Sequence, residues 1–120
     1  MTERKHRQLP VWKASIDMVE AFYVASAKLP KEELFGLQSQ MRRAAVSVAA
    51  NIAEGAARRS TLELLQFLGV ANGSLSELDT HLEISRRLGY LDDIDHLQDK
   101  LDDVQGQLLA VIQSLKRRSR

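Results

Sequence analysis

At 120 residues and 13.5 kDa the chain has room for one hydrophobic core and not for two domains. Hydrophobic residues at 44% and charged residues at 28% mark a globular protein and not a disordered one, and the lack of cysteine removes disulfides, thiol nucleophiles and thiolate metal sites. The net charge of +1 is unevenly divided: residues 1–8 carry +2, residues 116–120 carry +4, and the stretch between them therefore carries −5, so that basic ends flank a mildly acidic body and favour acidic partners such as nucleic acid.

Residues 1–8 have no apolar period and are predicted to be a mobile basic tail. From Pro10, which suits a first helical position, Val11, Ser15, Met18, Phe22, Ala25 and Leu29 recur at helical spacing, with Trp12, Ile16, Val19 and Tyr23 as a second stripe. Pro30 ends this helix. A second helix is expected to begin at Lys31, with Glu32 and Glu33 near its positive end, and Gly36 is either a tolerated interior glycine or a sign that the regular helix starts later. Its core stripe is Leu34, Leu37, Met41, Ala45, Val48 and Ile52, and Gly55 is its expected C-cap.

Ser60-Thr61-Leu62-Glu63 has the form of a capping box opening a third helix. That helix carries Leu64, Leu65, Leu68, Ala71, Leu75, Leu78, Leu82 and Leu88 and closes at Gly89. It also contains Gly69 and Gly73, whose missing side chains predict a close approach by the alanine-rich middle of helix two. Asp92 or Asp93 caps a fourth helix with Ile94, Leu97, Leu101, Val104, Leu108, Val111 and Leu115 as an unbroken seam. The fold class expected is all-α: an antiparallel up-down-up-down four-helix bundle over residues 9–115, ending in a basic tail at 116–120. No run reaches the roughly 18 apolar residues of a membrane span, and no apolar leader follows the N-terminal charges, so a cytoplasmic location is expected.

Helix two is almost uncharged from Ala44 to Ala53 and is predicted to be covered on nearly every side. Ser47, Asn51 and Glu54 share one stripe of it and are expected to meet Ser74 and Glu77 of helix three in a polar network, within the bundle or between subunits, that sets register. Arg43 is the nearest basic partner for those glutamates. No catalytic residue, cofactor or small-molecule substrate is expected. Glu77 and His81 stand four apart where a di-metal bundle site needs three, and Asp93 with His96 lies at a helix start, so no metal site is expected either. The basic residues offered for nucleic acid are Arg42, Arg43, Arg58, Arg59, Lys116, Arg117, Arg118 and Arg120. Arg86 and Arg87 fall at the other end of the bundle.

The run Gln40-Met41-Arg42-Arg43-Ala44-Ala45-Val46-Ser47-Val48-Ala49-Ala50-Asn51-Ile52-Ala53-Glu54-Gly55, then Arg59-Ser60, Gly73-Ser74-Leu75-Ser76-Glu77-Leu78 and Leu88-Gly89-Tyr90-Leu91, closely resembles the bacterial 23S rRNA intervening sequence proteins. The resemblance implies an antiparallel bundle assembling into a homopentameric ring. It also implies kinship with accessory proteins of diversity-generating retroelements, which form basic pentamers binding nucleic acid and a reverse transcriptase. The acidic body of this chain departs from that basic type. The function expected is a non-enzymatic oligomeric binding module for RNA or a ribonucleoprotein, or else a protein-interaction scaffold that binds no nucleic acid.

Overall fold

The computed structural model describes residues 4–118. It contains four long helices, α1 (Pro10–Ser26), α2 (Leu37–Ala56), α3 (Thr61–Arg87) and α4 (Asp95–Arg118), and no strand among the described residues. Each helix packs on its neighbours in the chain, and α1 packs on α4 to close the square. Alternating direction is visible in the cross-helix pairs. Arg42 near the start of α2 reaches Ser26 at the end of α1, Ser47 meets Ser74, and Asn72 and Asp79 of α3 accept from Gln105 and Gln98 of α4.

The core follows the predicted spacing, although Leu88 at the end of α3 is 56% exposed. All of Val11, Ser15, Met18, Phe22, Ala25 and Leu29 are buried, as are Leu37, Met41, Ala45, Val48 and Ile52 of α2 and Leu97, Leu101, Val104 and Leu108 of α4. Each large apolar side chain so placed contributes on the order of 1.5–3 kcal/mol. Ser15 is tolerated in the core because its hydroxyl donates to the Trp12 carbonyl at 2.6 Å.

Several boundaries differ from expectation, each for a local reason. Lys31–Glu33 forms a 3₁₀ turn, and the regular helix starts only at Leu37 because Gly36 has φ −106° and ψ −111°. Of the two readings of Gly36, the later start is the one observed. The Glu33 carboxylate then caps α2, accepting from the Leu37 amide at 3.0 Å, and its other oxygen accepts from the Tyr90 hydroxyl at 3.2 Å, tying the α1–α2 link to the α3–α4 corner. With the start delayed, Leu34 leaves the core stripe and is 49% exposed.

The ends also differ. Lys5–Gln8 is wound into a 3₁₀ helix that packs on α1 and α2, with Arg7 over the Trp12 ring at 5.5 Å and the His6 ring at 4.9 Å from it. At the other terminus α4 runs on through Lys116, Arg117 and Arg118, so these belong to a helix and not to a separate tail, while Arg120 lies outside the described residues. Gly89 has φ +75°. The Gly89 amide donates to the Arg86 carbonyl and the Tyr90 amide to the Ser85 carbonyl, the Schellman closure that favours glycine there. Asp93, of the two candidates, caps α4 by accepting from the Asp95 amide at 3.0 Å.

The close-approach glycine is not where the spacing placed it. Gly69 and Gly73 are exposed, and an added Cβ would meet no atom within 4 Å at either. Gly55 lies inside α2 instead of capping it. A Cβ there would stand 3.0 Å from both Leu64 Cδ1 and Phe67 Cβ and 3.3 Å from the Leu64 carbonyl oxygen. The tight α2–α3 turn depends on that contact. Gly55→Val is therefore expected to cost about 2–3 kcal/mol through overpacking against backbone, whereas Gly73→Ala should stabilise by up to ~1 kcal/mol through helix propensity alone. Urea unfolding of the two variants checks the contrast.

Candidate nucleic-acid interface

Alternating helices bring distant parts of the sequence to the same end of the bundle. The start of α1, the α2–α3 link and the end of α4 share one pole, so Arg4, Lys5 and Arg7 join Arg58 and Arg59 and the helical Lys116, Arg117 and Arg118. Among the described residues eight bases stand there against two acids, Glu54 and Glu63. The opposite pole carries Asp92, Asp93, Asp95 and Asp99. Its arginines are already engaged: Glu83 accepts from Arg86 at 2.7 and 3.0 Å and from Arg87 at 2.7 Å. Those hydrogen bonds, Arg86's first, hold the Glu83 carboxyl down at about 2. At 1.5 Å per residue the 27-residue α3 separates the poles by about 40 Å, several Debye lengths at physiological salt. A polyanion meeting the basic pole is not repelled by the acidic one.

The arginines offered by the sequence divide into bound and free. Arg42 turns inward: its Nε donates to Ser26 Oγ at 2.8 Å, one Nη to the Tyr23 carbonyl at 3.2 Å, and its guanidinium lies 4.6 Å from the Tyr23 ring centre. It staples α2 to the end of α1, so its donors are largely engaged within the chain. Arg58 is partly engaged, pairing with Glu54 at 2.7 Å and stacking on Phe67 at 4.8 Å. Arg43, Arg59, Lys116, Arg117 and Arg118 form no ion pair among the described residues. Arg43 lies away from the basic pole, in a groove on the α1–α2 face. Arg4, Lys5 and Arg7, expected as a basic tail favouring acidic partners, stand beside Arg58 because the up-down order sets the start of α1 next to the end of α2.

The polar stripe is smaller than the spacing suggested. Ser47 Oγ and Ser74 Oγ are 2.9 Å apart, and Asn51 Nδ2 donates to the Ser47 carbonyl at 2.8 Å and to its hydroxyl at 3.0 Å. These three half-buried groups satisfy one another between α2 and α3 of one chain, each bond worth on the order of 1 kcal/mol net. Neither glutamate joins them. Glu54 is exposed and taken by Arg58, because a helical carboxylate reaches an arginine four residues on more readily than a group across the interface.

Glu77 turns to His81, its carboxylate 3.6 Å from Nε2 and its side chain 58% exposed. His81 is buried and its Nδ1 has no hydrogen-bond partner. Burial disfavours the imidazolium and holds the His81 pKa below the ordinary histidine value, the Glu77 carboxylate opposing this in part. The unfolded chain then binds the extra proton, so the stability linked to His81 is complete above about pH 6.5 and declines as pH falls below it. Urea midpoints should drop between about pH 7 and pH 5, and His81→Leu should flatten that part of the profile.

Two further surfaces frame the poles. A groove of about 510 Å³ beside α1 and α2 is lined by Tyr23, Leu34, Phe35 and Val46 with Arg43 at its edge. Phe35 is 92% exposed, and Val46 and Ala50 of the uncharged α2 middle are open too, so within one chain that helix is not covered on every side. A second groove, about 790 Å³ between α1 and the α3–α4 corner, is lined by Asp17, Glu20, Asp92 and Asp93 against Lys28 and Lys100. Its acidic excess does not suit a phosphate backbone. Among the described residues no cluster of three or more His, Asp or Glu side chains could hold a metal ion, and no helix is long and apolar enough to cross a membrane.

The family model described as 23S rRNA-intervening sequence protein matches residues 7–110. The chain belongs to that family. The match to the 23S rRNA-intervening sequence proteins extends well into α4, further than the quoted motifs do, and stops short of the basic last turn. The fold is shared with a 1.70 Å crystal structure of a protein with unknown function from the S23 ribosomal protein family of Bacteroides thetaiotaomicron VPI-5482, at a TM-score of 0.79 and 20% identity, covering 85% of this chain and 97% of that one. At that identity the likeness concerns the fold alone. No curated protein matches this member of the 23S rRNA-intervening sequence proteins.

Proposed function

We propose that the protein is a non-enzymatic, self-associating helical module of the cytoplasm that binds RNA or a ribonucleoprotein by its basic pole. The observation that carries this reading is the convergence of three separate segments, residues 4–7, 58–59 and 116–118, on one end of the molecule with few acids among them. The family's name, which concerns ribosomal RNA, points to the same class of partner. Self-association is supported by the exposed apolar groove around Phe35, and a homopentameric ring would set five basic poles on one rim. Avidity then turns a weak patch into a useful one.

Titrating salt against affinity tests the reading. If about four phosphates are neutralised, log affinity for single-stranded RNA should fall against log salt with a slope of about −3. A flat response counts against it. The second reading, a protein scaffold without nucleic acid, is favoured by the acidic groove between α1 and the α3–α4 corner. Capture of partners with and without nuclease separates the two, because only RNA-mediated partners are lost on digestion.

A further inference from the structure

Resting on the nucleic-acid reading above, we propose that the cleft between the N-terminal 3₁₀ helix and the last turn of α2 takes one nucleotide of a bound single strand, and that Glu54 there selects cytosine over uracil. The cleft measures about 490 Å³, within the range of small-ligand sites. Arg4, Lys5 and His6 form one wall, and Ala53, Ala56 and Ala57 with Glu54 form the other. Arg4 and Lys5 form no ion pair among the described residues, and they stand where a phosphate would be neutralised. The alanine methyls opposite present a shallow apolar surface for the face of a base.

Glu54 is the unusual member of this cleft. A carboxylate in a site built only to attract phosphate would weaken it, yet this one is held in place. Its Oε1 accepts from Arg58 at 2.7 Å, and Arg58 is itself stacked on Phe67. Its Oε2 carries no hydrogen bond among the described residues. A fixed carboxylate oxygen accepts from an amino group on a base edge, and the cytosine N4 amino group is such a donor. Uracil presents the O4 carbonyl at the same position, whose lone pairs the carboxylate repels, and can offer Glu54 only its N3–H, a donor flanked by two carbonyls. Single-stranded bases expose these edges to protein groups, as paired ones do not. Arg58 acts as the positioning residue for Glu54, which it holds by their ion pair.

Fluorescence anisotropy on the full chain with short labelled oligo(C) and oligo(U) tests this. Oligo(C) should bind about tenfold more tightly than oligo(U). Glu54→Gln should bring the ratio close to one, because an amide serves either base, while both affinities rise with the loss of a negative charge. Lys5→Glu should weaken both strands alike and leave the ratio unchanged. Glu54 is exposed, so a thermal melt like that of the natural chain shows the variant folded. Cytidine monophosphate supplies the single-nucleotide arm and should bind at least about a hundredfold more weakly than oligo(C), because it engages one phosphate. Equal binding of the two would assign the cleft to free nucleotides and overturn the proposal. A ratio near one in the natural chain, or one unchanged by Glu54→Gln, overturns the cleft while a salt slope of about −3 leaves the basic pole standing. Absence of binding by either strand overturns both.

Discussion

Reversing three charges at the basic pole, Arg59→Glu with Arg117→Glu and Arg118→Glu, should weaken binding of single-stranded RNA by about a hundredfold or more at physiological salt and flatten the salt slope toward zero. Each of these side chains is exposed and free of ion pairs among the described residues, so each is available to a phosphate and none supports the core. Reversal both removes a counterion-releasing contact and adds a repulsion. Acidic residues in the last turn of α4 oppose the helix dipole and cost about 0.3–1 kcal/mol each, so helicity is measured alongside. Arg86→Glu with Arg87→Glu is the matched control. Those arginines lie at the far pole on Glu83, about 40 Å away along α3, and their reversal should leave affinity within about threefold. Equal losses from both sets would mean that overall charge, and not the pole, governs binding.

Phe35→Asp should leave a folded monomer. A phenylalanine that is 92% exposed adds nothing to the stability of its own chain, and beside Leu34, Tyr23 and Val46 it forms an apolar patch of the kind found at protein contacts. Truncating a central aromatic of an interface commonly costs 2–4 kcal/mol, and a buried carboxylate adds to that. In the proposed ring every copy would take part in two contacts, so the loss would be felt at each junction. Light scattering on the eluted protein reads the mass, and the thermal melt of the isolated chain should hardly move. An unchanged mass would place self-association on another face.

The helices themselves were legible because their apolar residues recur at the period of an α-helix. That spacing selects inward positions whatever the neighbours are, as Met18, Val48, Leu75 and Leu101 illustrate. The caps at Ser60 and Gly89 were legible because they are local chemistry. Gly36, Gly55, Gly69 and Gly73 show where that reading stops. A glycine in a helical run signals either a break or a close neighbour, and which one depends on a surface that another segment brings. Gly55 received the neighbour, in Leu64 and Phe67, and Gly73 received open space. The polar stripe divided in the same way. Ser47 and Asn51 found Ser74 across the helix pair, while Glu54 and Glu77 found local partners four residues on.

By itself, then, the amino-acid sequence determined an all-helical chain, its inward faces and the stock of basic residues, all of which depend on composition and on periods of three or four residues. Local pairs three or four residues apart took Arg86 and Arg87 on Glu83 and Arg58 in part on Glu54. Only the tertiary structure turned Arg42 to the carbonyl end of α1 and set Phe67 under Arg58. It also brought residues 4–7, 58–59 and 116–118 to one pole and left Phe35 in water. The physical reason is range: helical period acts over one or two turns, whereas charge convergence and exposure depend on how segments a hundred residues apart are set side by side.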